Sequence, residues 1–269
     1  MNETPDDDSA VPRFETSLGT SDRTSITLLG HDLTRDLIGE VTFGELAFWL
    51  LTLQRPTVPE RRLFEAVLVA LADHGFTPTA IAVRLTFLSA PDAVQGALAA
   101  GLLGGGSRYL GVTEDTGRFL AETLHSAAAV PSDDAGWNLL AEQAVSARAA
   151  TGQPIPGLGH PVHKDGDPRT PRIIEIARAE GIYGPHLALF EAIGRVHPGI
   201  LGKQLPLNGA GVCGGALADL GLPAELLRGT ALLARCAGLL GHIAEEIRRP
   251  VADSIYRTVD RNAQYVDPA

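Results

Sequence analysis

The stretch Gly157–Arg169, which reads GLGHPVHKDGDPR, decides how this sequence is interpreted. It lies in a segment, residues 152–168, that holds four glycines and four prolines in seventeen positions. No regular helix or strand tolerates that density, so the segment is either a long ordered loop or a disordered linker. Glycines let a backbone approach a ligand closely, and loops on a helical scaffold often carry function, so His160 is a candidate site residue.

His163 and Asp167 follow His160 at the third and seventh positions, a spacing that suggests a metal site as one alternative. Spacing within a loop does not fix three ligands on one face, and no further acid–histidine cluster in the sequence completes a ligand set. We therefore expect that no metal is required.

Helical periodicity dominates on both sides of this segment. In residues 59–73, apolar side chains recur at steps of three and four and fall on one helix face: Leu63, Phe64, Val67, Leu68 and Leu71. Prolines and capping residues predict further helix starts at residues 77–78, 90–91, 113, 132, 170–171 and 185. Residues 223–248 form a helix that is apolar on most sides, which predicts burial inside the molecule or against a partner subunit. No long alternating strand pattern occurs, so we predict an all-α fold.

Composition excludes several classes of protein. The 269-residue chain carries a net charge of −10 and has no basic stripe, which argues against nucleic-acid binding. It has no run of about 18 apolar residues, so no membrane span is predicted. The first fifteen residues lack the basic and apolar regions of a secretory signal, so we expect a cytoplasmic protein. Residues 1–23 are predicted to be a disordered acidic tail.

Two further side chains could carry chemistry. His74 ends the first predicted helix, where an imidazole could bind an anion or move a proton, or could simply interact with the last helix carbonyls. Arg235 lies inside the apolar helix of residues 223–248, where a charge is expensive unless it is paired. A substrate carboxylate or an internal acid would satisfy its guanidinium, and spacing alone does not choose between them.

Together these segments resemble the citrate synthase superfamily. The motif A-D-H ends at His74, G-x-G-H-x-V contains His160, and an arginine follows nine residues later at Arg169. Arg235 matches an arginine of a buried helix, and Arg249 precedes a proline as in the family. The resemblance implies that both histidines contact an oxo-acid and that the three arginines hold its carboxylates. It also implies a homodimer, because the last arginine is contributed by the other subunit.

Two segments resemble the short citryl-CoA lyase branch more than a full synthase. Leu51–Gly75 is similar to the citryl-CoA lyase module of ATP-citrate lyase, and Tyr109 stands where full synthases carry a histidine. The resemblance implies cleavage of citryl-CoA to acetyl-CoA and oxaloacetate, with the condensing reaction of a synthase as the alternative. Coenzyme A enters as part of the substrate or product, and the resemblance places its contacts in the glycine-rich loop, at Gly157, Gly159, Val162 and Lys164.

One departure from the family concerns its catalytic aspartate, which lies in an N-V-D motif. The corresponding residues here are Asn208, Gly209 and Ala210, so the family's substrate-site asparagine is present and its carboxylate is missing. A positioned acid or base is worth about 10²–10⁴-fold in rate. Another group such as Tyr109, a water or the substrate could supply the proton, the substrate could differ, or the protein could be a weak or inactive paralogue that binds ligands.

The resemblance also implies two helical domains. The larger would combine residues 24–115 with residues 223–269, and the smaller would comprise residues 116–222. The site would lie in the cleft between them, which closes over substrate in such enzymes.

Overall fold

The computed structural model describes residues 14–268. The chain divides into two compact units, which meet in sequence at Pro56 and Thr57. Residues 1–13 of the predicted acidic tail lie outside the described residues, and the described part of that tail contains the first β-strand. The division into domains of residues 24–115 with 223–269 and of residues 116–222 stays a prediction.

The first unit contains a small antiparallel sheet in the order β1-β2-β3. Its strands are β1 Gly19–Ser21, β2 Ile26–Leu28 and β3 His31–Asp32, and they are followed by a π-helical turn, Leu33–Leu37, and by helix α1, Phe43–Thr52. Leu29 and Gly30 turn the chain between β2 and β3 with positive φ angles of 51° and 80°. Strands of two or three residues are too short to show an alternating pattern, so the sequence did not reveal them.

The second unit is built from helices. They are α2 Val58–Ala72, α3 Pro78–Ser89, α4 Val94–Leu103, α5 Val112–Ser126, α6 Asp134–Ala150, α7 Arg169–Ala179, α8 Pro185–Leu201, α9 Gly209–Asp219, α10 Ala224–Arg248 and α11 Ala252–Arg261. The predicted all-α class is confirmed, with the small sheet as the one addition among residues 14–268. No helix in this described part of the chain is long and apolar enough to cross a membrane.

Capping residues set several helix starts at the predicted places. Thr57 and Glu60 form a reciprocal capping box at the start of α2, and Thr77 accepts a hydrogen bond at the start of α3. Asp133, rather than the predicted Ser132, caps α6 by accepting from Gly136 N. These bonds satisfy backbone N–H groups that a helix leaves without internal partners.

Helix α10 is the central element of the second unit, since it packs against α2, α3, α4, α5 and α9. Its buried face includes Leu227, Leu239 and Ile243, as the apolar pattern predicts. A Cβ at Gly238 would lie 2.0 Å from the carbonyl oxygen of Ala72, so only glycine permits this approach of α10 to the end of α2. Leu240 remains exposed within one chain.

The glycine-rich segment is an ordered loop. Leu158 forms a β-bridge with Leu207, Gly159 N donates to the carbonyl of Pro206 at 2.7 Å, and Asn208 N donates to the carbonyl of Gly157 at 2.9 Å. Gly157 has φ +82°, and a Cβ there would lie 2.6 Å from the ring of Phe190. These contacts fix the loop beside the start of α9, which decides between the two interpretations of the sequence.

Candidate functional site

A cavity of about 770 Å³ opens in the second unit. It lies between the end of α2, the start of α5, the glycine-rich loop, the start of α9 and the middle of α10. Most of the residues expected at a site line it: His74, Tyr109, Gly157, Gly159, His160, Val162, Arg169, Asn208, Ala210 and Arg235. The fold therefore gathers side chains that are up to 161 positions apart in sequence, His74 and Arg235 being the extremes.

Arg235 is the most deeply placed charge in this cavity. It is only 4% exposed, and its Nε and Nη1 atoms have no hydrogen-bond partner among the described residues. The carboxylate of Asp73 lies 3.7 Å from Nη1, beyond hydrogen-bond range. Burial lowers the pKa of the Arg235 guanidinium, and Asp73 offsets this in part. A buried guanidinium with unmade hydrogen bonds is suited to receive an anionic oxygen from a ligand.

Arg169 is held in place by Asp167. The buried Asp167 carboxylate accepts from Nε and Nη2 of Arg169 at 3.0 and 2.7 Å and from the backbone N–H of Gly209 at 2.7 Å. Burial raises the pKa of the Asp167 carboxyl, but these bonds outweigh burial and leave that pKa well below its usual range. Nη1 of Arg169 donates to the carbonyl of Ala70 at 3.2 Å. The guanidinium is thus oriented before any ligand arrives, and one N–H group on each of Nη1 and Nη2 has no partner within residues 14–268.

His160 is fixed in one tautomer by its own loop. Its Nδ1 accepts from the backbone N–H groups of Val162 and His163 at 3.1 and 2.9 Å. A ring nitrogen that accepts carries no proton, so a neutral His160 holds its proton on Nε2 and can only donate from there. Burial, followed by the nearby His163, lowers the pKa of His160 and favours this neutral form.

His74 contacts His163, the third histidine of this region. Its Nε2 lies 3.2 Å from Nε2 of His163, and the ring centroids of His74 and His160 are 5.2 Å apart. Burial and then the positive charge of Arg169 lower the pKa of His74. The sequence singled out His163 only as a possible metal ligand, and no spacing rule indicates a contact between residues 89 positions apart.

Ring nitrogens of His74, His160 and His163 lie within 4.8 Å of one another, a spacing that a metal ion could use. The fixed tautomer of His160 removes one lone pair from such a set, and Arg169 and Arg235 add positive charge beside it. The arrangement therefore suits an anion better than a cation. The expectation that no metal is required stays a prediction.

The position of the missing aspartate is partly exposed to the cavity. Ala210 lines it, and so does Tyr109, whose hydroxyl has no hydrogen-bond partner within residues 14–268. Asn208 has a structural task, since Oδ1 accepts from Gly211 N at 2.8 Å as the cap of α9 and Nδ2 donates to Gly159 O at 2.8 Å. Its role in binding substrate stays a prediction.

Two predicted residues lie away from the cavity wall. Lys164 is exposed, and its ammonium group donates to the carbonyl of His160 at 2.9 Å. Arg249 is exposed at the end of α10, outside the lining of the cavity within its own chain. Its predicted contribution to a partner's site stays a prediction.

Positive charge is concentrated in the cavity although the chain as a whole carries −10. Five arginines line it, against two carboxylates. The arginines are Arg108, Arg118, Arg148, Arg169 and Arg235, and the acids are Asp115 and Glu122. Such a focus of one sign in a cleft favours an anionic ligand.

A family model for citrate synthase, C-terminal domain, matches residues 39–258. The structure of citryl-CoA lyase from Hydrogenobacter thermophilus is 31% identical and superposes with a TM-score of 0.83 over 95% of each chain. ATP citrate lyase from Methanothrix soehngenii, solved with citrate and coenzyme A, has a TM-score of 0.78 over 96% of this chain and 42% of its own. At 22% identity, that likeness shows the fold alone.

A citrate synthase from Deinococcus radiodurans is 28% identical over 244 residues, which cover 85% of this chain. The chain spans 59% of the length of that relative. The likeness to the lyase of Hydrogenobacter, in contrast, extends over nearly the full length of both chains. The all-α fold implied by the sequence resemblance is therefore confirmed in the form of the short branch.

Proposed function

The chain belongs to the citrate synthase family, and from that premise we propose that it is a citryl-CoA lyase-like enzyme. It would cleave a carboxylated 3-hydroxyacyl-CoA, citryl-CoA or an analogue, to acetyl-CoA and an oxo-acid such as oxaloacetate. The likeness to a citryl-CoA lyase over 95% of both chains supports a CoA-thioester lyase rather than a full-length synthase.

The observation that carries this proposal is the buried Arg235, which lines the cavity and whose guanidinium has hydrogen bonds unmade among the described residues. A tricarboxylic substrate would complete it, because a carboxylate accepts two parallel N–H bonds from a guanidinium. Arg169, already oriented by Asp167, would bind a second carboxylate. Arg249 of a partner subunit would bind a third, which makes the proposed working unit a homodimer with two equivalent sites.

The reaction has three requirements. The substrate hydroxyl must lose its proton, the carbon–carbon bond must break to leave a thioester enolate, and that enolate must gain a proton. His160 would donate from Nε2 to the hydroxyl oxygen as it becomes a carbonyl, since its fixed tautomer makes it a donor. Donors and fixed charges around a developing oxyanion are usually the largest contribution in such sites.

Protonation of the enolate is the step for which the family uses its aspartate. With Ala210 in that place, the Tyr109 hydroxyl or a water in the cavity would supply the proton. Asp167 does not qualify, because its two oxygens already accept hydrogen bonds and its pKa is far below neutrality.

Ala210 also favours a second candidate, a ligand-binding paralogue with little or no catalysis. The same arginines would then hold a dicarboxylate or a CoA thioester without turnover. A third candidate is condensation of acetyl-CoA with an oxo-acid, as in the citrate synthases to which the family model refers. The three candidates differ in their products. A lyase releases oxaloacetate from citryl-CoA, a condensing enzyme releases free coenzyme A from acetyl-CoA and an oxo-acid, and a binding paralogue releases neither.

The test is to incubate the purified protein with citryl-CoA and measure release of oxaloacetate and acetyl-CoA. A parallel mixture of acetyl-CoA and oxaloacetate tests condensation through release of free coenzyme A. We expect cleavage, and we expect Arg235→Gln to lose at least about 30-fold in kcat/KM, because removal of one partner of a buried charge pair costs at least about 2 kcal/mol.

Arg257→Gln is the matched control, since Arg257 is half-exposed on α11 and pairs only with Asp253 among the described residues. It should leave kcat/KM unchanged. Absence of cleavage of citryl-CoA and of related 3-hydroxy-3-carboxyacyl-CoAs would overturn the lyase proposal. Calorimetric binding of citrate without turnover would then favour the paralogue.

A further inference from the structure

We propose that His163 and His74 form a proton-transfer pair that carries the substrate's hydroxyl proton between the cavity and solvent. The inference rests on the proposed cleavage reaction for its catalytic meaning. The hydrogen-bonded pair itself is a separate, directly measurable property. His163 would thus act on the substrate through His74, which it contacts.

The pair is defined by one short contact. The two Nε2 atoms are 3.2 Å apart, so one of them carries a proton and the other accepts it. Nδ1 of His74 has no hydrogen-bond partner within residues 14–268, which leaves that nitrogen for a ligand in the cavity that His74 lines. His163 is partly exposed, and its neighbours Val162 and Lys164 are exposed. His74 lines the cavity and His163 does not, so the order from cavity to solvent is His74 and then His163.

The other candidates for a base close to His74 are already engaged. Nδ1 of His160 already accepts from the backbone N–H groups of Val162 and His163, so a neutral His160 can act only as a donor. Asp73 accepts from His242 and from Gly75 N, and Asp167 accepts four hydrogen bonds from Arg169 and Gly209. Among these groups, Nδ1 of His74 remains to accept a proton.

The charges that face His74 favour its neutral form. They are Arg169 at the start of α7, Arg235 on α10, Asp167 in the loop, and the neighbouring His160. The two guanidinium groups outweigh the single carboxylate, and burial acts in the same direction, so the pKa of His74 lies below that of a free imidazole. A neutral His74 can accept a proton, whereas a protonated one could not.

Protons and electrons balance in the direction of cleavage. The hydroxyl proton moves to Nδ1 of His74, and the Nε2 proton of His74 moves to Nε2 of His163. The hydroxyl oxygen becomes the carbonyl of the oxo-acid, and the electron pair of the broken carbon–carbon bond moves into the thioester enolate. The enolate carbon takes one proton from Tyr109 or water, His163 releases one proton to solvent, and one proton from solvent restores the Tyr109 hydroxyl or the water, so no net proton is consumed.

The kinetic test compares His163→Asn with His125→Asn. His125 is exposed near the end of α5 and does not line the cavity, so its variant should match the natural protein. His163→Asn should lower kcat for citryl-CoA cleavage by about 10²-fold with little change in KM, the effect of losing a proton carrier. The glycine variant, His163→Gly, should regain activity in added imidazole but not in pyrazole, which has the same ring size and is protonated only in strong acid.

The second readout does not depend on turnover. Nitrogen-15 NMR of the histidine rings should find the Nε2–H tautomer for His74 and a change in its titration in His163→Asn. If the natural protein cleaves no thioester, the proposed function is wrong. The NMR spectrum still tests whether His74 and His163 form a hydrogen-bonded pair. A His74 titration that is identical in the variant, unchanged kcat in His163→Asn, or a loss of activity that imidazole does not restore, would each overturn the proposal.

Discussion

Nε2 of His242 lies 2.9 Å from Oδ1 of Asp73, and this hydrogen bond connects the buried interior of the helical unit to the cavity. On its other side, His242 accepts at Nδ1 from Nε of Arg84 at 3.0 Å, which places the ring proton on Nε2. Arg84 is 1% exposed and pairs with Glu246 at 2.7 Å and with Glu245. Oδ1 of Asp73 in turn lies 3.7 Å from Nη1 of Arg235, and Asp73 directly precedes His74 in the chain.

This relationship predicts that His242 positions the binding groups. In His242→Leu, the Arg84 and Asp73 groups lose a partner, and an unsatisfied buried polar group costs about 1–3 kcal/mol. Stability to urea should fall by that amount, and oxaloacetate should bind more weakly by calorimetry. His242→Gln, whose amide can still donate to Asp73, should recover most of the affinity. If the leucine variant bound oxaloacetate as tightly as the natural protein, Asp73 would not need this support.

Gly238 predicts a purely steric effect on the same helix. Because a Cβ there would lie 2.0 Å from the Ala72 carbonyl oxygen, Gly238→Ala should push α10 away from α2 and cost about 1–3 kcal/mol. Gly241, about one turn further along α10, is the matched control, since it is exposed and a Cβ added there would meet nothing within 4 Å. Gly241→Ala should raise stability by about 0.5–1 kcal/mol, since alanine favours helix. Urea unfolding of both variants measures the contrast.

Local features of this fold could be predicted because they depend on neighbours in sequence. The apolar face of α2 and the burial of α10 follow from periodicity, and the start of α3 follows from capping at Thr77. The conformation of the glycine-rich loop could not be predicted in this way, since its composition fits both an ordered loop and a disordered linker. Its hydrogen bonds to Pro206 and Asn208 decide the matter, and those partners are about 50 positions away.

The same distinction applies to the site, where some residues could be predicted from the sequence and some contacts could not. His74, His160, Arg169 and Arg235 could be placed because their motifs resemble a family in order and spacing. The contact between His163 and His74 could not, because it depends on how the loop folds against the end of α2. The support of Asp73 by His242 spans 169 positions and was equally hidden. Only a three-dimensional arrangement reveals which polar groups are already paired and which remain free for a ligand.

Asp167 predicts the acid sensitivity of the fold. Its pKa is lower in the folded chain than the ordinary value of about 3.9, so the unfolded chain takes up a proton first as the pH falls. The stability due to this carboxylate is therefore complete above that value and is lost as the pH falls below it. Asp167→Asn should lower stability at pH 7 by about 3–5 kcal/mol and flatten the loss in acid.

Urea unfolding between pH 7 and pH 3 provides the measurement for Asp167. Asp253→Asn is the control, because Asp253 is half-exposed and forms an i,i+4 pair with Arg257 on α11. Such a surface pair contributes about 0.3–0.5 kcal/mol, so this variant should follow the natural protein at every pH. Equal acid limbs in all three proteins would contradict the assignment of Asp167.

Arg249 predicts complementation between subunits. If it completes the partner's site, Arg235→Gln and Arg249→Gln should each be inactive alone, yet regain activity when unfolded together and refolded as a mixture. In a mixed dimer, one site lacks both arginines and the other has both. With half of the dimers mixed, recovery should approach about a quarter of the natural activity. No recovery, or full activity in a monomeric fraction from a sizing column, would show that Arg249 acts within its own chain or not at all.

Ala210 gives the prediction that separates an enzyme from a binding protein. Ala210→Asp restores a carboxylate at the cavity wall, near the start of α9 where Arg169 packs against Gly209. If the natural protein is a lyase limited by enolate protonation, the variant should speed exchange of the acetyl-CoA methyl protons in D₂O by about 10²-fold, the lower range for a positioned acid–base group. Ala210→Asn, with the same shape and no titrating group, should not. Proton NMR of the methyl signal gives both rates.

Measurable exchange and cleavage in the natural protein, raised further in Ala210→Asp, support an enzyme that works through another proton donor. Cleavage that exists only in the Asp variant, on every thioester tried, would instead mean that the natural chain binds its ligand and leaves the carbon–carbon bond intact.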